Sequence, residues 1–125
     1  MYRVPTSASE ALQEVLIFPI ALTLYPTASF QELIERTGYP QFAEKISILA
    51  IKEAIGSRSL LIDAWLDYSR KKPENWGWFM DGPYDGLYLV GDRTSSTRAH
   101  ISDPAEACAR FIKGEIEAIF GRKQQ

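Results

Sequence analysis

The chain has 125 residues, 46% of them apolar and 24% charged, with a net charge of -2. That length fits one domain spanning residues 1–125 whose core needs neither metal nor disulfide, and the single cysteine excludes an intramolecular disulfide. The charge balance argues against a nucleic-acid binder that relies on a broad basic surface.

The start, Met1-Tyr2-Arg3-Val4-Pro5, lacks the charged-then-apolar pattern of a signal peptide. The longest apolar stretch, Val15 to Tyr25, is interrupted by Pro19 and falls short of the roughly 20 residues that cross a bilayer. It reads as core, and a cytoplasmic location is expected.

In chain order, Ser7 with Glu10 forms a capping box, and Leu12, Val15 and Leu16 share one face of the helix that should follow. Pro19 removes a backbone donor, so the helix should kink or restart there. Ile20 to Leu24 then continues as buried helix or, since the run has no clean period, as an apolar strand. Thr27 or Ser29 can cap a short helix, Ser29 with Glu32 being a second capping box; Phe30, Leu33 and Ile34 form its apolar stripe, and Gly38 suits a left-handed helix end. Pro40 prevents simple continuation. The spacing of Phe42, Ile46, Leu49 and Ala50, with Ile48, Ile51 and Ile55 on a second side, predicts a longer helix from about Gln41 to Ile55, stopped by Gly56. Ser57 or Ser59 should cap the next helix, which reaches about Lys71 with Ile62, Trp65, Leu66 and Ser69 inward. Arg70, Lys71 and Lys72 then sit at the negative pole of its dipole.

Trp76 to Asp81 and Leu87 to Asp92 read as strands. Gly82, Pro83 and Gly86 between them suggest a loop longer than a two-residue hairpin turn. Alternation sends Trp76, Trp78 and Met80 to one face and Phe79 to the other. Such bulk on both faces requires either helices on both sides or a partner on one. Arg98 to Ile101 is a candidate third strand. Asp103-Pro104-Ala105-Glu106 starts the closing helix, which runs to about Phe120 with Cys108, Ile112, Ile116 and Ile119 inward. The expected fold is α+β: about four helical segments in the N-terminal half, a small antiparallel sheet, and a C-terminal helix.

No catalytic constellation emerges. His100 is the only histidine; Asp103 beside it is needed as a cap, and Ser102 lacks a strained turn to expose it. Cys108 lies among alanines, the setting of an inert buried thiol. Metal-ligand spacings and phosphate-binding glycine loops are absent, so neither metal nor cofactor is expected. The aromatic residues between Trp65 and Tyr88 could stack bases or sugars, but the stretch from Pro73 to Asp92 holds Glu74, Asp81, Asp85 and Asp92 with no lysine or arginine. That sign repels phosphate and suits a basic protein surface.

The run Trp65-x-x-Tyr68-Ser69-x-x-Lys72-Pro73, then Gly77-Trp78-Phe79, a strand ending near Val90-Gly91 and the helix Asp103-Pro104-Ala105-Glu106-Ala107-Cys108-Ala109-Arg110-Phe111-Ile112-Lys113 resembles the immunity proteins of bacterial contact-dependent growth inhibition and related polymorphic toxin systems. The resemblance covers roughly Trp65 to Ile119. It implies a small cytoplasmic inhibitor, without catalytic residues, that binds the C-terminal domain of one cognate toxin, often a nuclease, and occludes it.

The expected contact surface is Glu74, Trp76, Asp81, Tyr84, Asp85 and Asp92, with Asp63 and Asp67 as a second choice. A monomer that binds neither nucleic acid nor membrane is expected. The alternatives are a small enzyme using Asp81 or Asp85, and an adaptor that dimerises through the Trp76, Trp78 and Met80 face.

Overall fold

Backbone donors at helix starts need acceptors, and serine supplies them at three points in the N-terminal half of the computed structural model, which describes residues 5–72, 77–95 and 98–123. Ser7 accepts from the Glu10 N–H to open α1 (Ala8–Leu16). Ser29 accepts from the Glu32 N–H to open α3 (Phe30–Arg36), and Ser47 from the Ala50 N–H to open α5 (Ile48–Ile55).

Between the first two, Pro19 ends one helix and starts another. Ile17 leaves helical geometry and α2 (Phe18–Leu24) begins with Pro19 in its first turn. In an unbroken helix the Leu16 carbonyl would accept from Ile20; here Ile20 N–H bonds to Ile17 instead. The Leu16 carbonyl then accepts from the Trp65 indole at 2.9 Å. Only the Phe18 side of α2 is buried, while Ile20 and Leu24 are exposed, so the expected burial of that segment is not observed.

The expected helix from Gln41 to Ile55 is three pieces. Gly38, at φ +81°, leads into α4 (Tyr39–Phe42), where Pro40 occupies the first turn. A 3-10 turn, Ala43–Lys45, follows. Ile46 leaves helical geometry, and α5 restarts at the Ser47 cap. The break lets Ile46 be fully buried while Leu49 faces solvent, which one continuous stripe through both would forbid.

Neither Ser57 nor Ser59 caps α6 (Ser59–Lys71), because Ser59 is already helical and Arg58 occupies the cap position. The Arg58 guanidinium donates back to the Ala54 carbonyl. Ile62, Trp65, Leu66 and Ser69 are all buried.

The strands β1 (Trp78–Tyr84), β2 (Leu87–Asp92) and β3 (Ala99–Ile101) form an antiparallel sheet in the order β1-β2-β3. The hairpin turn is shorter than its glycines and proline suggest. Asp85 and Gly86, both at positive φ (54° and 79°), are its two central residues, the geometry that Asp-Gly favours. Gly82 and Pro83 belong instead to a bulge in β1, where the register slips between Asp81, opposite Leu89, and Tyr84, opposite Leu87. Gly82 sits at φ +120°, and a Cβ there would lie 2.9 Å from the Leu87 carbonyl oxygen.

One face of the sheet, with Trp78, Met80 and Val90, packs on α6 and on α7 (Pro104–Lys123), a helix longer than expected. Asp103 caps α7 by accepting from the Ala105 N–H at 3.0 Å. Because Met80 and Val90 are buried inside the chain, that face is not free to make the dimer interface suggested by the alternation. The other face, with Phe79, Leu89 and His100, has no helix across it among the described residues. There the guanidinium of Arg98 lies 4.8 Å from the Phe79 ring centre and that of Arg93 5.8 Å away.

The core runs through all of these elements. Phe18 stacks on Trp65, and Phe111 meets Trp65 edge-on, each at 5.9 Å between ring centres. Cys108, Ile112, Ile116 and Ile119 are fully buried as expected. Within this apolar interior lies a polar knot. Glu115 is inaccessible in the middle of α7, and its carboxylate accepts from Lys72 Nζ and Tyr68 OH, both at 2.5 Å, and from the Trp78 N–H at 2.8 Å. Lys72 also donates to the Trp78 carbonyl. Lys72 sits at the C-cap of α6, as expected, and its buried ammonium ties the end of α6 and the start of β1 to α7. Among the described residues no helix is long and apolar enough to cross a membrane.

Candidate functional site

Asp81, Tyr84 and Asp85 come together at the tip of the β1–β2 hairpin. The bulge turns Tyr84 so that its hydroxyl donates to Asp81 Oδ2 at 2.8 Å. The Gly82 N–H donates to Asp81 Oδ1 at 2.8 Å. Arg70, reaching across from α6, donates through Nε and Nη2 to the same oxygen, each at 3.3 Å, and to the Gly82 carbonyl at 3.1 Å. Partial burial pushes the Asp81 carboxyl upward, but Tyr84, the Gly82 amide and Arg70 outweigh it and hold it below the ordinary carboxylate value. The bond to Asp81 raises the Tyr84 phenol.

Tyr84 is 57% exposed although its hydroxyl is held. Asp85 is exposed in the turn. The stretch that carries only acids in sequence is therefore not purely acidic in space, because Arg70 pairs with Asp81, whereas Asp85 has no ion pair among the described residues.

The other expected contact residues fall elsewhere. Glu74 and Trp76 lie outside the described residues. Asp92 pairs with Trp78 at the far end of the hairpin, about 20 Å from the tip at the usual rise per strand residue. It accepts from the Thr94 N–H and hydroxyl, both at 2.8 Å, and these bonds lower its carboxyl pKa. Asp63 and Asp67 are exposed on α6, with Asp67 paired to Lys71 at 3.0 Å.

His100 is exposed on β3, and Asp103 serves the α7 cap and Lys52, 3.3 Å away. Burial pushes the Cys108 thiol up to about 12, far from a reactive thiolate. Among the described residues no group of three or more His, Cys, Asp or Glu could hold a metal ion.

A second feature was not anticipated. Between the covered face of the sheet and the outer side of α7 runs a groove of about 750 Å³. Trp78, Val90, Ala99 and Ile48 give it apolar walls, Asp92 stands on the strand side, and Arg110, Lys113 and Glu117 stand on the helix side. Gly114 makes the arrangement possible: a Cβ there would lie 2.3 Å from the Trp78 indole, so only glycine lets the ring lie against the helix. In the sequence, the i, i+3 spacing of Arg110 and Lys113 with Gly114 beside them carries this signal, but only the sheet shows what they face.

No family model matches the chain, and no curated protein or solved structure matches it significantly.

Proposed function

We propose that this chain is an immunity-type inhibitor that acts in the cytoplasm by binding one toxin domain stoichiometrically, with the hairpin tip as the contact. The observation that carries the reading is Tyr84: a large aromatic ring exposed at a turn while its hydroxyl is fixed by Asp81, which Arg70 in turn anchors. Aromatic side chains are frequent energetic anchors of interfaces, and one that is already ordered loses less freedom on binding. Asp85 beside it adds a negative charge suited to a basic surface, such as that of a nuclease, and steers encounter more than it adds affinity. With Asp81 largely compensated by Arg70, the reading rests on the aromatic anchor first and on charge second. The resemblance of the stretch Trp65 to Ile119 to immunity proteins supports the same reading.

The test is protection. Cells expressing the product of the neighbouring reading frame should lose viability, survive when the wild-type chain is co-expressed, and lose protection with the Tyr84→Ala, Asp85→Ala double variant at equal protein level. Survival without the chain, or full protection by the double variant, counts against the proposal.

A further inference from the structure

The groove beside α7 has the size of a small-molecule site, within the roughly 300–1,000 Å³ typical of ligand pockets. Its helix wall holds two cations one turn apart whose carboxylate partners are shared or distant. Arg110 contacts Glu106 through Nε and Nη2 only, so the Nη1 edge of its guanidinium is not used in that pair. Glu106 is meanwhile divided between Arg110 and Lys52, each at 3.1 Å.

Lys113 is three-quarters buried. It donates to the Tyr39 hydroxyl at 2.6 Å and the Ala43 carbonyl at 3.0 Å, both neutral, while its nearest carboxylate, Glu117, is 3.8 Å away and also accepts from Tyr39. Burial lowers the Lys113 ammonium pKa despite the opposing pull of Glu117. Glu117 at 3.8 Å and the Tyr39 ring, its centre 4.9 Å from Nζ, offset part of that charge, and a further anion would favour the charged form. Across the groove Asp92 repels an anion from the strand wall. Glu117 repels it from the C-terminal part of the α7 wall. Negative charge in a ligand is thus directed toward the Arg110 end of α7, and its apolar part toward Trp78, Val90 and Ala99.

We propose that this groove binds a small organic carboxylate with an apolar body, the carboxylate lying against Arg110 and Lys113. This goes beyond toxin binding and does not depend on it.

The probe pair is 1-naphthylacetate and its neutral amide, which share a shape and differ in charge. They are titrated into the full chain by calorimetry and followed by the NMR shifts of Val90, Ala99 and Ala118. The acid should bind about tenfold or more tightly than the amide, the worth of one charge-assisted hydrogen bond. Arg110→Gln, a change at an exposed side chain, should erase most of that preference. Asp92→Asn should leave acid binding intact or tighten it. Ala118→Leu should weaken both probes by filling the groove.

Equal binding of acid and amide would overturn the proposal, since the groove would then read apolar surface alone. So would a preference for the acid that survives Arg110→Gln, or the absence of any shift at these residues at millimolar probe.

Discussion

Replacing Lys72 by methionine probes the polar knot most sharply. The substitution keeps the length of the side chain and removes an ammonium that lies 2.5 Å from Glu115 Oε2 and 3.1 Å from the Trp78 carbonyl, with both charged side chains inaccessible to solvent. The Glu115 carboxylate would keep the Tyr68 hydroxyl and the Trp78 N–H but lose its counter-ion in a site that water does not reach. Breaking one side of a buried pair costs about 3–5 kcal/mol, a large part of the roughly 5–15 kcal/mol that holds a domain folded. Adding Glu115→Gln removes the orphaned charge, while the amide oxygen can still accept from the Trp78 N–H. The double variant should therefore recover about 1–2 kcal/mol relative to Lys72→Met alone, as coupled neighbours do. Urea unfolding followed by circular dichroism gives both numbers. A cost below about 1 kcal/mol for Lys72→Met, or a double variant whose loss equals the sum of the single losses, would refute this account of the knot.

Three further outcomes are expected. Cys108 should resist a thiol reagent in the native chain at pH 8 and react on unfolding, since its thiol is buried and its pKa is raised to about 12; stoichiometric labelling of the native chain would contradict that placement. Gly82→Ala should destabilise the hairpin by about 1–3 kcal/mol, because it combines a positive φ with a 2.9 Å approach to the Leu87 carbonyl oxygen; an unchanged urea midpoint would contradict it. The Asp81 carboxyl has a lowered folded-state pKa, so its contribution is complete above the unfolded value of about 3.9 and is lost as pH falls through the folded value. Asp81→Asn should accordingly flatten the acid limb of stability against pH below about 4 without altering its shape near pH 7.

Much of the fold was legible because local chemistry decided it. Ser7, Ser29 and Asp103 cap helices where their spacing to Glu10, Glu32 and Glu106 places them. The inward positions of α6 and α7 follow a simple helical stripe. Readings failed where two local signals competed. Ser47 caps α5 although the apolar spacing runs through it, because burial of Ile46 and exposure of Leu49 require the break. Gly82 and Pro83 looked like loop residues, whereas the Asp85-Gly86 turn closes the hairpin and the bulge absorbs them.

For the candidate site, Tyr84 and Asp85 were legible as an exposed turn. The partnership of Arg70 with Asp81 was not, because it joins a helix end to a strand eleven residues later. The pairing of Lys72 with Glu115 was not legible for the same reason, since 43 residues separate the two. The groove likewise depends on packing between α7 and the sheet, which no single stretch encodes.

The central proposal is that the hairpin tip binds a toxin domain, and the most direct measurement is calorimetric titration of the product of the neighbouring reading frame with the wild-type chain and with Tyr84→Ala. The account predicts a one-to-one complex with nanomolar or tighter affinity, about 12 kcal/mol or more, weakened by about 2 kcal/mol or more in the variant. No complex, or a Tyr84→Ala loss below about 0.5 kcal/mol, would contradict it.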